Sequence, residues 1–129
     1  MDGNPQTQCC RLIQALYGLK TSPKDWNKEL SGTLNDLGFV RIHSDWNFFF
    51  KITPNGSKIF IAFHVDDGLL TSNDGVALQE VVDQLGRKYK IKVNQNPNLF
   101  LGISVVRNRE ARLLGLCQSS YIRQCAEKI

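Results

Sequence analysis

The sequence predicts an α+β fold, an antiparallel sheet with helices on one face. Three observations carry this. The apolar pattern changes period along the chain in the order helix, three strands, helix, two strands, helix. Asn55-Gly56 and Asp66-Asp67-Gly68 separate strand-like runs by tight reversals, and short reversals join antiparallel neighbours. Strands and helices do not alternate regularly, which argues against a parallel βαβ sheet.

The first fourteen residues are polar and turn-rich and read as a lead-in, with Asn4-Pro5 favouring extended or turning backbone; residues 15–129 read as one domain. Ser22 as N-cap, Pro23 at the first helical position, Asp25 in the first turn and Gly38 past the end frame a first helix. Trp26, Leu30, Leu34 and Leu37 share one face of it. The aromatic and β-branched runs Trp46 to Ile52 and Lys58 to Val65 flank Thr53-Pro54-Asn55-Gly56, a hairpin. Strand alternation assigns Trp46, Phe48, Phe49, Phe50, Phe60 and Phe63 to core packing rather than base stacking, with the first helix lying on the face that holds Phe48, Phe50 and Phe60.

After Val65 the turn Asp66-Asp67-Gly68 returns the chain through Leu69 to Ser72, a third short strand. Asn73 or Asp74 caps a second amphipathic helix carrying Leu78, Val82, Leu85 and Tyr89. Phe100 to Arg107 and Arg112 to Cys117 read as strands joined by Asn108 to Ala111, and Ser119 or Ser120 caps a last helix running to Ile129.

At 129 residues, 42% hydrophobic and 22% charged, the composition is that of a globular domain and excludes collagen-like, disordered and disulfide-scaffold classes. The net charge of +4 permits an anionic partner without requiring one. The longest apolar stretch, Ile59 to Val65, is far short of the roughly twenty residues of a bilayer-spanning helix. The start lacks a basic region and an apolar core, so it does not read as a signal peptide, and an intracellular chain is expected. Cys9, Cys10, Cys117 and Cys125 form no CxxC pair and read as reduced thiols rather than a zinc site.

The candidate chemistry lies at Asp66-Asp67. A hairpin tip between apolar strands holds two acidic side chains at an exposed point where they can ligate a divalent metal. The same three residues also make an ordinary solvent-facing turn. His64 reads as a packed polar residue in its strand, with a switch or metal-neighbour role as the alternative. The basic stretches Arg87 to Lys92 and Arg107 to Arg112 are either phosphate contacts or solvated faces.

The surroundings of the turn resemble a known family. Ala15-Leu16-Tyr17-Gly18-Leu19-Lys20-Thr21-Ser22-Pro23 followed by Trp26 is similar to a segment of copia-type retrotransposon reverse transcriptases. The pattern continues in order with Leu37-Gly38-Phe39, Asp45 and Phe48, His64-Val65-Asp66-Asp67, Phe100-Leu101-Gly102-Ile103, and Gln118 with Tyr121-Ile122. The resemblance implies a partial palm of a right-hand-shaped polymerase, with Asp66 as main ligand and Asp67 as secondary ligand of two Mg²⁺ ions. It implies RNA-directed DNA polymerisation on a template-primer with deoxynucleoside triphosphates, within a larger retrotransposon polyprotein that is cytoplasmic, nuclear or particle-associated. In the nucleotide- and template-contacting block Gly18, Lys20 and Ser22 would be the cofactor-binding residues, with Gly18 allowing close backbone approach and Lys20 meeting phosphate.

The departures from the family pattern set further expectations. The metal site of the family takes a third aspartate from a strand upstream of the Gly18 block. Only Asp2 stands there, in a stretch without strand pattern, so the expectation is weak Mg²⁺ binding and no catalysis by the chain on its own. Thr21 stands where the family usually has Gln, His64 where it has Tyr, and Gly68 where it has an aliphatic residue. The glycine is expected to loosen the turn. The alternatives are a non-catalytic remnant or domesticated module that binds nucleic acid or protein, and an unrelated metal-dependent phosphotransferase using Asp66 and Asp67.

Overall fold

The computed structural model describes residues 11–13, 16 and 18–128, so most of the lead-in lies outside the described residues. The chain forms two compact units, the first ending at Tyr89 and the second starting at Lys90, a division inside the stretch expected as one domain. Among the described residues, three helices and two antiparallel sheets bear out the α+β class.

In the first unit, α1 (Ser22–Asp36) is preceded by Thr21, which makes no side-chain cap. Ser22, expected as the cap, is the first residue inside the helix, and its hydroxyl donates to the Leu16 carbonyl at 2.6 Å. Pro23 occupies the first turn, where a missing N–H leaves no bond unmade. At the other end Gly38 takes φ +82°; its N–H reaches the Asn35 carbonyl and the Phe39 N–H reaches that of Leu34. This pair of bonds is a Schellman closure, and Phe39 and Leu34 supply the apolar contact that accompanies it, both buried.

The strands β1 (Val40–Arg41), β2 (Phe48–Ile52), β3 (Lys58–His64) and β4 (Asp67–Ser72) pair in that order, all antiparallel. The Asn55-Gly56 hairpin forms as expected, with Gly56 at φ +83°. α2 (Gly75–Lys88) follows, capped by Asp74, whose carboxylate accepts from the Val76 and Ala77 N–H groups. Asn73, the other candidate cap, instead accepts from the Lys58 N–H at 2.7 Å.

Leu30 and Leu34 of α1 and Val81 and Leu85 of α2 bury with Phe39, Phe49, Ile59 and Ile61, so both helices cover one face of this sheet. The hairpin is therefore turned over relative to expectation: Phe49, Ile59 and Ile61 face the helices, while Phe48, Phe50 and Phe60 lie half-buried on the other face. Aromatics at three consecutive positions of β2 hide the period of two, and the isoleucines of β3 decide the face. Trp46, expected in the core, is 71% exposed, with the Arg41 guanidinium 5.1 Å from its ring centre.

The second unit holds β5 (Leu99–Phe100), β6 (Ile103–Asn108), β7 (Leu113–Cys117) and α3 (Ser119–Ala126). The expected strand from Phe100 to Arg107 is broken at Leu101-Gly102, both at positive φ, the pattern of a type I′ turn. Ser119 and Ser120 lie inside α3 rather than capping it, and the Ser119 hydroxyl is taken up by the Cys117 sulfur at 2.7 Å. Among the described residues no helix is long and apolar enough to cross a membrane.

Candidate functional site

β3 and β4 run antiparallel with His64 opposite Asp67, which leaves Val65 and Asp66 as the two turn residues. The apolar strands and the short polar connection thus produce the expected hairpin, one residue tighter than read: Asp66 lies in the turn itself and Asp67 is the first residue of β4. Both aspartates and His64 are exposed, so the packed reading of His64 is corrected. His64 alternates with the core-facing Phe63 and therefore points away from the helices.

The turn conformation is unusual. Val65 takes φ +57° and Asp66 does not, and positive φ at the first turn residue alone is the pattern of a type II′ turn, where glycine is preferred. A β-branched residue in that region is strained. Its carbonyl accepts the Trp26 indole N–H from α1 at 2.9 Å. The Trp26 ring in turn meets Tyr89 edge to face, centroids 5.3 Å apart.

Gly68 lies against the Phe63 ring. A side-chain carbon there would stand 2.7 Å from Cε1 of Phe63, its cross-strand partner, so the ring of Phe63 fills the space that glycine leaves. The departure from an aliphatic residue is a packing solution at the start of β4.

The Gly18 block forms turns ahead of α1. Gly18 takes φ +95° with open space where a side chain would stand, the Leu19 N–H reaches the Leu16 carbonyl, and the Ser22 N–H reaches that of Leu19. Tyr17 and Ala15 lie outside the described residues. Lys20 is exposed, and among the described residues no hydrogen bond or ion pair joins Lys20, Gly18 or Ser22 to Asp66 or Asp67. What links this block to the turn is Trp26, one helical turn beyond Ser22. Sequence reasoning placed Trp26 on the apolar face of its helix and missed its bond; nothing in spacing or composition signals an indole aimed at a carbonyl 39 residues away.

A polar network of the unit lies elsewhere, between α1 and the end of α2. Lys88 bonds Glu29 at 2.9 Å and also donates to the hydroxyl of the buried Thr33, which meets the Tyr89 hydroxyl at 2.6 Å. The ammonium of Lys88 lowers the Glu29 carboxyl below its ordinary value, and Glu29 raises Lys88. Lys88 from the first basic stretch is thus a tie between α1 and α2.

As donors, Asp66 and Asp67 are hard carboxylate oxygens of the kind Mg²⁺ takes one or two at a time alongside water and substrate phosphate. Among the described residues no group of three or more His, Cys, Asp or Glu side chains is placed to hold a metal, so the pair has no protein partner there.

The family described as "Reverse transcriptase (RNA-dependent DNA polymerase)" matches residues 1–129. The chain is 39% identical over 98 residues to the Retrovirus-related Pol polyprotein from transposon RE2 of Arabidopsis thaliana, covering 76% of this chain and 7% of the relative. To the corresponding polyprotein from transposon RE1 of the same plant it is 35% identical over 107 residues, 83% of this chain and 7% of the relative. To that from transposon TNT 1-94 of Nicotiana tabacum it is 28% identical over 119 residues, 92% of this chain and 9% of the relative. The chain thus spans less than a tenth of these polyproteins, and no solved structure matches it. With the family matched over the whole chain and copia-type polyproteins among its relatives, this chain belongs to the reverse transcriptase (RNA-dependent DNA polymerase) family as a segment of the copia type.

Proposed function

We propose that this chain is a palm segment of a copia-type reverse transcriptase and carries two of the carboxylates, Asp66 and Asp67, that hold Mg²⁺ for nucleotidyl transfer in the intact enzyme. The observation that carries this reading is an exposed, two-residue hairpin bearing both aspartates inside a chain matched end to end by the family. Asp66 is the main ligand and Asp67 the secondary one. When bound, Mg²⁺ supplies positive charge at the primer 3′-hydroxyl and at the phosphates of the incoming nucleotide. The chain's own contribution is to hold two oxygen donors at a fixed point, with Lys20 and the open backbone at Gly18 available to phosphate and Ser22 anchoring the block to Leu16. The partners are an RNA or DNA template-primer, deoxynucleoside triphosphates and the remainder of a Pol polyprotein.

Phosphoryl transfer needs its reacting atoms fixed, and a misplacement of about 1 Å costs on the order of a hundredfold in rate. With two carboxylates at the turn and, among the described residues, no third placed beside them, the expectation is that the chain by itself is inactive. Primer extension on an RNA template tests this in two arms. The chain as it stands gives no extension. Fused behind the segment preceding the matched stretch in the RE2 polyprotein, it gives extension that Asp66→Asn abolishes. Extension by the chain alone that vanishes in Asp66→Ala and Asp67→Ala would overturn the inactivity, and a folded fusion whose extension ignores Asp66→Asn would overturn the site.

A further inference from the structure

We propose that Trp26 is a positioning residue for the metal-holding turn: its indole N–H selects the orientation of the Val65–Asp66 peptide and so the direction of the Asp66 carboxylate. Asp67 belongs to β4 and takes its direction from pairing with His64. Asp66 has no such support, because it stands in the turn and depends on the peptide that precedes it. That peptide is planar, so a bond to the Val65 carbonyl fixes the Asp66 N–H as well.

The choice matters because two-residue hairpins have two close alternatives. Type II′ and type I′ turns both begin with a residue at positive φ and differ by a flip of the peptide between the two turn residues. Val65 is at positive φ, and aspartate tolerates the positive φ that a flip would give Asp66. The local sequence therefore does not decide between them; glycine at position 65, which favours II′, is absent. Trp26 decides it, through the one side-chain hydrogen bond among the described residues that joins α1 to this turn. The indole is itself held: Tyr89 packs edge to face against it, and the Tyr89 hydroxyl is bonded to Thr33 on α1. A flip would carry the Val65 oxygen away from the indole and break a bond whose donor cannot follow.

The tether stands on geometry alone, whereas its service to metal binding rests on the function proposed above. Nuclear magnetic resonance of the full chain separates them. Trp46 is 71% exposed, so its indole is an internal reference; the Trp26 indole proton should exchange at least about fivefold more slowly, the factor given by one ordinary hydrogen bond. Equal exchange rates for the two indoles would overturn the tether without any variant. In Trp26→Phe the Val65, Asp66 and Asp67 amides should broaden and the Asp66 amide coupling shift toward an average of two turn forms, while Ile59 and Ile61 amides stay in place. In a Val65→Gly background, where the turn prefers II′ unaided, the same Trp26→Phe change should have little effect. Unchanged turn resonances in Trp26→Phe, or equal disturbance with and without Val65→Gly, would contradict the proposal. If Mg²⁺ fails to perturb Asp66 in the native chain while Trp26→Phe still loosens the turn, the metal reading fails and the tether remains.

Discussion

Gly68 shows how a single residue reverses its meaning once its neighbour is known. By sequence it is a flexible position beside the carboxylates; in the fold it is the only residue type that leaves room for the Phe63 ring. Gly68→Ala forces that ring or the strand to move, and overpacking of this kind costs about 1 to 3 kcal/mol. Chemical denaturation checks it, and a midpoint equal to that of the native chain would show that Phe63 yields freely. Leu34 is the opposite case, fully buried and legible from the helical spacing of Trp26, Leu30, Leu34 and Leu37. Leu34→Ala should cost about 2 to 5 kcal/mol, with the higher part of the range if the site cannot collapse. An unchanged midpoint would mean that the helix face was misassigned.

Among elements, α1 and α2 are joined by Glu29, Lys88, Thr33 and Tyr89, and this tie has a pH signature. The Lys88 ammonium depresses the Glu29 carboxyl below 4.5. Its contribution is therefore complete above pH 4.5 and is lost as pH falls through the depressed value. Lys88 is raised above 10.5, so its contribution is complete below pH 10.5 and is lost as pH rises through the raised value. Thermal unfolding of Glu29→Gln followed across pH should lose less stability below pH 4.5 than the native chain, the remaining acid dependence being that of Asp74; identical pH dependences would remove Glu29 from the tie. Asp74 behaves likewise at the other end of α2, its carboxyl lowered mainly by the Ala77 N–H and then by Asn55. Asp74→Ala should fray the first turn of α2 and lower the unfolding temperature, whereas Asp74→Asn, also a good cap, should retain most of the helix start.

How far the elements could be read from sequence depends on what fixed them. Capping and turn chemistry are local, so Asp74, Gly38, Gly56 and the turn at Asp66 were legible. The face of the β2–β3 hairpin was not, because Phe48, Phe49 and Phe50 offer an apolar residue to either side and the choice is made by Ile59 and Ile61 packing under α1 and α2. The break at Leu101-Gly102 was hidden by an apolar run that reads as one strand. Of the candidate site, the residue types and their hairpin were legible; the Trp26 bond was not, because it arises from the approach of α1 to a turn distant in sequence, and the positive φ of Val65 was not, because the turn closes one residue tighter than Asp66-Asp67-Gly68 suggests and so begins at Val65.

At the scale of the whole molecule, the buried core among the described residues falls between Leu30 and Leu85, in the first unit. Phe49, Ile59 and Ile61 amides should therefore exchange with solvent most slowly, and amides of 99–126, where the strands and α3 carry no buried residue, orders of magnitude faster. Equal protection across Lys90 would contradict that division of stability.

The central claim, that Asp66 and Asp67 form the metal-holding pair of a reverse transcriptase segment, is tested most directly by titrating the full chain with Mg²⁺ while following each backbone amide. Two carboxylates with water in the remaining positions predict saturation only in the millimolar range or weaker, shifts confined to Val65, Asp66 and Asp67, and their loss in Asp66→Asn. Shifts that spare this turn, or submicromolar binding that survives Asp66→Asn, would contradict it.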